Sequence, residues 1–234
     1  MKNLWEWKRI TLTHVGNDIV DLESPFANGK SKDKRFINRV LTTKEQEIVQ
    51  GKQFDDYLLW SHWAAKESAF KVVSKIKPDV SSSPKKYEVY FDKVKQFSIQ
   101  KGVVYTPVKK IHVCVHRNMI YGNKWIHCVG SSRQIDLETA IFYREEQIDH
   151  LFDYNFAHAS KKESSYVRKI AGKKISQILS ESSENIEFKK NVQPGKHSYP
   201  EVFIKNRKTN IDISFSHDGK FVAYAFCLNQ NKKD

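Results

Sequence analysis

A chain of 234 residues that is 39% hydrophobic and 12% aromatic can build a real core. This excludes wholesale disorder and points to one large domain or two small ones. Forty basic against 27 acidic residues give a formal net charge of +13; that surplus bears on partners (nucleic acid, a membrane surface, phosphorylated small molecules or an acidic protein) and not on fold. No stretch approaches the length of a membrane span. Residues 1–10 alternate charged and aromatic side chains without the apolar run of a signal peptide. Cys114, Cys128 and Cys227 lie in apolar, strand-like runs, odd in number and without framework spacing. They read as buried, reduced thiols, and the expectation is a cytoplasmic protein.

In chain order, residues 15–22 (VGNDIVDL) read as a short strand with an acidic end. Residues 42–50 read as a helix, with Thr42 or Thr43 as N-cap and carboxylates in the first turns. From Phe54 to about Ser74 the apolar residues Leu58, Leu59, Trp63, Phe70 and Val73 recur at helical period. Lys77-Pro78 ends that helix, and residues 81–84 form a loop. Residues 87–91, 111–115 and 124–129 read as strands, with a turn at 121–123 between the last two. The chain turns polar at 131–134, which places a boundary between halves 1–133 and 134–234.

The second half repeats the order. Residues 164–179 form an amphipathic helix through Val167, Ile170, Ala171, Ile175, Ile178 and Leu179. Strands follow at 186–190, 202–205, 211–216 and 221–227, with a turn-rich stretch at 193–200. Asp218-Gly219 is a two-residue hairpin signal. The expected fold class is α+β: a pseudo-dimer of two similar halves, each a helix packed on a small antiparallel sheet.

Three residues stand out chemically. Glu67 falls on the apolar stripe of its helix, with Trp63, Ala64 and Phe70 as neighbours, so it needs either a partner or a function. The plain explanation is an intrahelical pair with Lys71. Asp18 sits in an apolar strand after Gly16; it either ends the strand or joins a helix carboxylate in a hard-oxygen site for Mg²⁺. His217 shares parity with Ile213 and Phe215, so it is expected to point inward, either as a satisfied core histidine or as a phosphate donor at a strand end.

Each signal has an ordinary explanation, but their joint order is specific. "VGNDIVDL", "RFINRVLTTKEQ" (35–46), "WAAKESAFK" (63–71) and "ISFSHDGKFVAYA" (213–225) together resemble the 4'-phosphopantetheinyl transferase superfamily. The first three are similar to the short holo-acyl-carrier-protein synthases. "KKESSYVRKIAGKKI" (161–175), "GKHSYP" (195–200) and "SFSHDG" (214–219) resemble the first half of the longer, two-halved members, yet here they come last. The resemblance therefore implies a pseudo-dimer with exchanged halves, and a monomer.

It also implies an activity: transfer of the phosphopantetheine arm of coenzyme A to a serine of an acidic apo carrier protein, with no membrane involved. Asp18 and Glu67 would hold Mg²⁺ (or Mn²⁺), because the position of a frequent further acid is Val20. Glu67, directly or through water, would be the base, and Lys71 would contact the diphosphate; these two and Asp18 form the catalytic set. Ser216 and His217 would grip coenzyme A phosphates. Lys66 is either structural or a secondary phosphate contact. Lys161, Lys162 and Arg168 are candidates for the 3'-phosphate, against an ordinary solvated helix face. Lys196 is a phosphate candidate whose motif departs from the usual G-K-P by the displacement of Pro200.

Three rivals remain. A basic nucleic-acid-binding protein fits the charge, but no stacking motif, helix-turn-helix or zinc finger is present. A zinc site could draw on His112, Cys114, His116, His127 and Cys128, at no standard spacing. An inactive relative acting as a scaffold is the third.

Overall fold

The computed structural model describes residues 12–50, 56–93, 98–148 and 156–229. Residues 1–10, on which the signal-peptide expectation rests, lie outside the described residues. The first half runs β1 (Val15–Asp21), α1 (Lys34–Val40), α2 (Thr43–Gln50), α3 (Asp56–Ile76), β2 (Glu88–Phe91), β3 (Ile99–Tyr105), β4 (Lys110–Ile120) and β5 (Asn123–Ser131). After the short α4 (Leu137–Ala140) come β6 (Phe142–Gln147), α5 (Phe156–Leu179), β7 (Ile186–Asn191), β8 (Tyr199–Ile204), β9 (Arg207–Asp218) and β10 (Phe221–Leu228).

The strands form two five-stranded antiparallel sheets, ordered β1-β5-β4-β3-β2 and β6-β10-β9-β8-β7. The two orders are the same plan: one strand, a long helix, then four strands whose last member pairs with the first. The protein is thus α+β with two similar halves, as the element order predicts. Four elements go beyond the sequence expectation, the four-residue α4 among them. The strand β3 contains Gly102 and is held by pairing with β4 (Val104↔Ile111). The charged β6 is held by pairing with β10. The seven-residue α1 is too short to show a period; its start is set by Asp33, whose carboxylate accepts from the backbone N–H groups of Arg35 and Phe36. Thr42 and Glu45 form a capping box at α2: Thr42 N donates to Glu45 Oε2 (2.8 Å) and Glu45 N to Thr42 Oγ1 (3.4 Å).

Helix α3 buries Leu59, Trp60, Ala64, Ala65, Ala69, Val72 and Val73 against the first sheet. Large apolar side chains contribute about 1.5–3 kcal/mol each on full burial, enough to seat a helix that also carries charges. The helix crosses β1 at backbone contact: a Cβ on Gly16 would lie 2.1 Å from the Ser68 carbonyl oxygen. Only glycine permits that approach, and it brings Asp18 beside the turn of α3 that carries Glu67 and Lys71. Helix α5 buries Val167, Ala171 and Ile175 on the second sheet.

The seam between the halves joins apolar packing (Val15, Cys114 and Val129 with Ala225 and Cys227; Ile19 with Phe221 and Ala223) to a polar stripe. The alternation in β9 suggests a dry face (Ile211, Ile213, Phe215) and a wet one (Asp212, Ser214, Ser216). The polar face instead lies along the free edge of β1 and caps its backbone donors. Val15 N donates to Asp212 Oδ1 (2.8 Å), Asn17 N to Ser214 Oγ (3.0 Å) and Asp21 N to Asp218 Oδ2 (2.9 Å). An edge strand presents unpaired N–H and C=O groups, and side chains of the other half satisfy them here. Lys75 fastens the seam, its Nζ donating to Asp212 Oδ1 (2.5 Å) and to the carbonyls of Val15 and Ile213 (both 2.7 Å). Burial opposes the charge on Asp212, yet Lys75 and the His14 contact hold its carboxyl below the usual carboxylate range.

The hairpin that follows is shifted by one residue from the expected Asp218-Gly219. Asp218 pairs with Phe221, so the loop is Gly219-Lys220. Gly219 has φ +53°, and a Cβ there would meet the Asp21 carboxylate at 2.2 Å. The three cysteines are free and buried, as expected. Among the described residues no helix is long and apolar enough to cross a membrane.

Candidate active site

Glu67 and Lys71 stand one turn apart on α3, facing β1. The intrahelical pair that would give Glu67 a plain explanation is not formed. Lys71 Nζ donates instead to Asp18 Oδ1 and to the Asn17 carbonyl, both at 2.8 Å. Among the described residues no hydrogen bond or ion pair holds the Glu67 carboxylate. Burial pushes its carboxyl up from the usual 4.5 to about 7; the Asp18 charge adds to the shift and Lys71 opposes it. Burial and Glu67 likewise push the Tyr87 phenol up to about 12, while the phenol donates to the Ser81 carbonyl at 2.7 Å.

The centre therefore contains two carboxylates that repel each other and one cation shared with the strand. A hard divalent cation relieves that repulsion, and one or two carboxylates are the usual protein share of a Mg²⁺ site that also binds phosphate. The donor set fits such an ion. Among the described residues no three His, Cys, Asp or Glu side chains gather into a metal-holding group. The zinc alternative finds no common point. Cys128 belongs to the core under α3, and Cys114 packs in a different cluster with Ala225 and Cys227.

Beside this centre a cleft of about 240 Å³ is lined from both halves. The first half contributes Lys71, Ser74 and Lys75; the second contributes Ser164, Arg168, Tyr199 and His217. Arg168 Nη1 donates to the Ser164 carbonyl (2.7 Å), and its guanidinium lies over the Phe215 ring. His217 has the parity expected of it but not the burial. Its side chain is 35% exposed, because the face it shares with Ile213 and Phe215 opens into the cleft beyond Phe215. Its Nδ1 lies 2.8 Å from Glu163 Oε2.

Other expected contacts lie elsewhere. Lys66 is 1% exposed and spends its ammonium on Glu45 Oε2 (2.6 Å) and the carbonyls of Val40 (2.8 Å) and Pro84 (3.2 Å). Its ammonium is thus engaged by three acceptors inside the first half and does not line the cleft. The Ser216 hydroxyl also turns away from the cleft: it is buried in the seam and accepts from Asn17 Nδ2 at 2.8 Å. Lys161 and Lys162 are exposed on α5 and do not line the cleft. Lys196 is exposed in a turn closed by its own N–H on the Gln193 carbonyl (3.1 Å). The next residue ties this loop to the first half. His197 N donates to the Pro78 carbonyl (2.9 Å), its ring meets the Val80 carbonyl (3.0 Å), and it packs edge-on against Phe70. The residues that displace Pro200 from the usual motif are thus the ones that anchor the loop and wall the cleft.

Sequence reasoning missed Glu163, Ser164 and Lys75. A signal for the first two was present: Lys66-Glu67-Ser68 on α3 recurs as Lys162-Glu163-Ser164 on α5.

Residues 14–129, about half of the chain, match the 4'-phosphopantetheinyl transferase superfamily. The chain belongs to that superfamily. Over 59 residues it is 37% identical to a holo-[acyl-carrier-protein] synthase of Protochlamydia amoebophila (strain UWE25). That stretch is 25% of this chain and 48% of the relative, so the match spans about half the length of the curated relative. The family match contains Asp18, Glu67 and Lys71, whereas His217 and Arg168 lie outside it.

Proposed function

We propose that the protein transfers the 4'-phosphopantetheine group of coenzyme A to a serine of an apo carrier protein, releasing 3',5'-ADP. The observation that carries this is Glu67: a half-buried carboxyl raised to about 7 by burial and by the Asp18 charge, one turn from Lys71, which binds Asp18 and lines a cleft with basic groups from both halves.

Asp18 and Glu67 would hold Mg²⁺ (Mn²⁺ is the alternative), which when bound neutralises diphosphate charge as a Lewis acid. The rest falls to the chain's own side chains, and it is mostly positioning and electrostatics. Glu67 takes the proton of the carrier serine, directly or through water; a carboxyl near 7 suits a base working at neutral pH. As the serine Oγ–P bond forms, the P–O bond to 3',5'-ADP breaks and the leaving phosphate gathers charge. Lys71 offsets that charge. His217 and Arg168 hold the coenzyme A phosphates in the cleft, and Lys196, in the exposed turn before its wall, is a further phosphate candidate. In this proposal residues 1–133 supply metal and base, residues 134–234 supply the coenzyme A grip, and the chain works as a cytoplasmic monomer. The surplus of positive charge draws in an acidic carrier, so turnover falls as salt rises.

The test is to incubate the protein with coenzyme A, Mg²⁺ and a panel of apo carrier proteins and to read intact mass. A phosphopantetheine adduct on one carrier is expected. No adduct on any, where a control enzyme works, sinks the proposal and favours the inactive scaffold.

A further inference from the structure

The two long helices share a Lys-Glu-Ser tripeptide but use its glutamate differently. Among the described residues Glu67 has no bonded partner beside Asp18, while Glu163 is only 8% exposed and reaches His217. We infer that Glu163 is a positioning residue: its carboxylate, 2.8 Å from Nδ1, fixes the ring of His217 so that the other nitrogen, Nε2, is presented to the cleft that receives coenzyme A. This deepens the proposed transfer function and rests on it.

The chemistry of the ring makes orientation matter. An exposed histidine at a strand end can turn about two side-chain torsions, and each nitrogen donates only if it carries a hydrogen. A carboxylate is acceptor only, so it fixes a hydrogen on Nδ1 and the plane of the ring with it. Nε2 then faces the side where Arg168 and Ser164 of α5 and Lys71, Ser74 and Lys75 of α3 converge. The same glutamate adds negative charge beside Asp218, whose carboxyl is pushed up to about 6 by burial and by Asp18, Asp21 and Glu163. Burying another acid there is unfavourable unless the carboxylate has a partner, and His217 is that partner. Sequence alone hides this, because Glu163 and His217 lie 54 positions apart on a helix and a strand.

The experiment is a double-mutant cycle read by calorimetric binding of coenzyme A to the full chain, without carrier. Glu163→Ala and His217→Ala should each weaken binding about tenfold, the scale of losing one charge-assisted hydrogen bond. The double variant should be no weaker than His217→Ala alone, within about twofold. The same cycle with Glu163→Gln, which keeps the volume and an acceptor, should show a smaller loss of about threefold that also vanishes in the His217→Ala background. It serves as the second route if Glu163→Ala does not fold. Multiplying losses, or unchanged affinity in both Glu163 variants, would overturn the inference while leaving the transfer function standing. An intact chain that binds no coenzyme A overturns both.

Discussion

Helices α3 and α5 occupy matching places in two sheets of the same strand order, and each carries Lys-Glu-Ser, yet the two copies do different work. On α3 the lysine is sealed inside against Glu45, and the glutamate faces a strand acid with nothing bonded to it among the described residues. On α5 the lysine is exposed and the glutamate is taken up by His217. A tripeptide therefore does not define a site. What defines it is the strand that crosses the helix. Against α3 that strand is β1, brought to backbone contact by Gly16 and carrying Asp18; against α5 it is β9, which carries an imidazole.

The sharpest way to break this contrast is to remove both glutamates in turn. Glu67→Ala, and likewise Asp18→Ala, should cut carrier modification by roughly a thousandfold, the scale of losing a base and a metal ligand together. Glu163→Ala should cost about tenfold in the same intact-mass assay, as one charge-assisted contact would. Equal losses would mean that both helices do the same chemistry.

The lysines give the next contrast. Replacing Lys66 by Met leaves Glu45 buried without its cation, and breaking a buried pair costs about 3–5 kcal/mol. Lys162→Met should stay within about 0.5 kcal/mol, as exposed substitutions do. Denaturant unfolding of the two variants measures this, and similar midpoints would refute the separation.

The smallest effect is the pH dependence of Glu67. Its carboxyl is raised from the usual 4.5 to about 7 in the folded chain. Below pH 4.5 both folded and unfolded chains hold the proton, and the group costs nothing. As pH rises through that range the unfolded chain ionises first, so stability falls until the folded carboxyl also ionises near 7. The loss is on the order of 3 kcal/mol, at about 1.4 kcal/mol for each pH unit of separation. Metal-free Glu67→Gln should therefore be more stable than the parent at pH 8 and equal to it near pH 4. A gain of the same size at both pH values would show that packing, and not charge, separates them.

Much of this was readable in advance. Both long helices showed their period, the strands that follow them showed theirs, and the order of the motifs singled out Asp18, Glu67, Lys71 and His217. The weak points share one cause. Helix α1 is short, and β3 and β6 carry glycine or charge, so partners distant in sequence decide whether they form. Parity along β9 told correctly which residues share a face but not what lies opposite, and so it expected burial for His217, whose side chain is 35% exposed at the cleft. The 100° step of a helix separates Lys66 from Glu67, but only the packing shows that this step turns it into the core.

The sequence by itself determined the α+β class, the repeated element order and the family, because local period and short motifs are properties of neighbouring residues. Only the tertiary structure decided that the polar face of β9 caps the open edge of β1, that Lys66 is sealed inside, and that Glu163 holds His217. Those outcomes depend on which surfaces meet across the seam, and burial there decides whether a charge is neutralised, shifted or left to act.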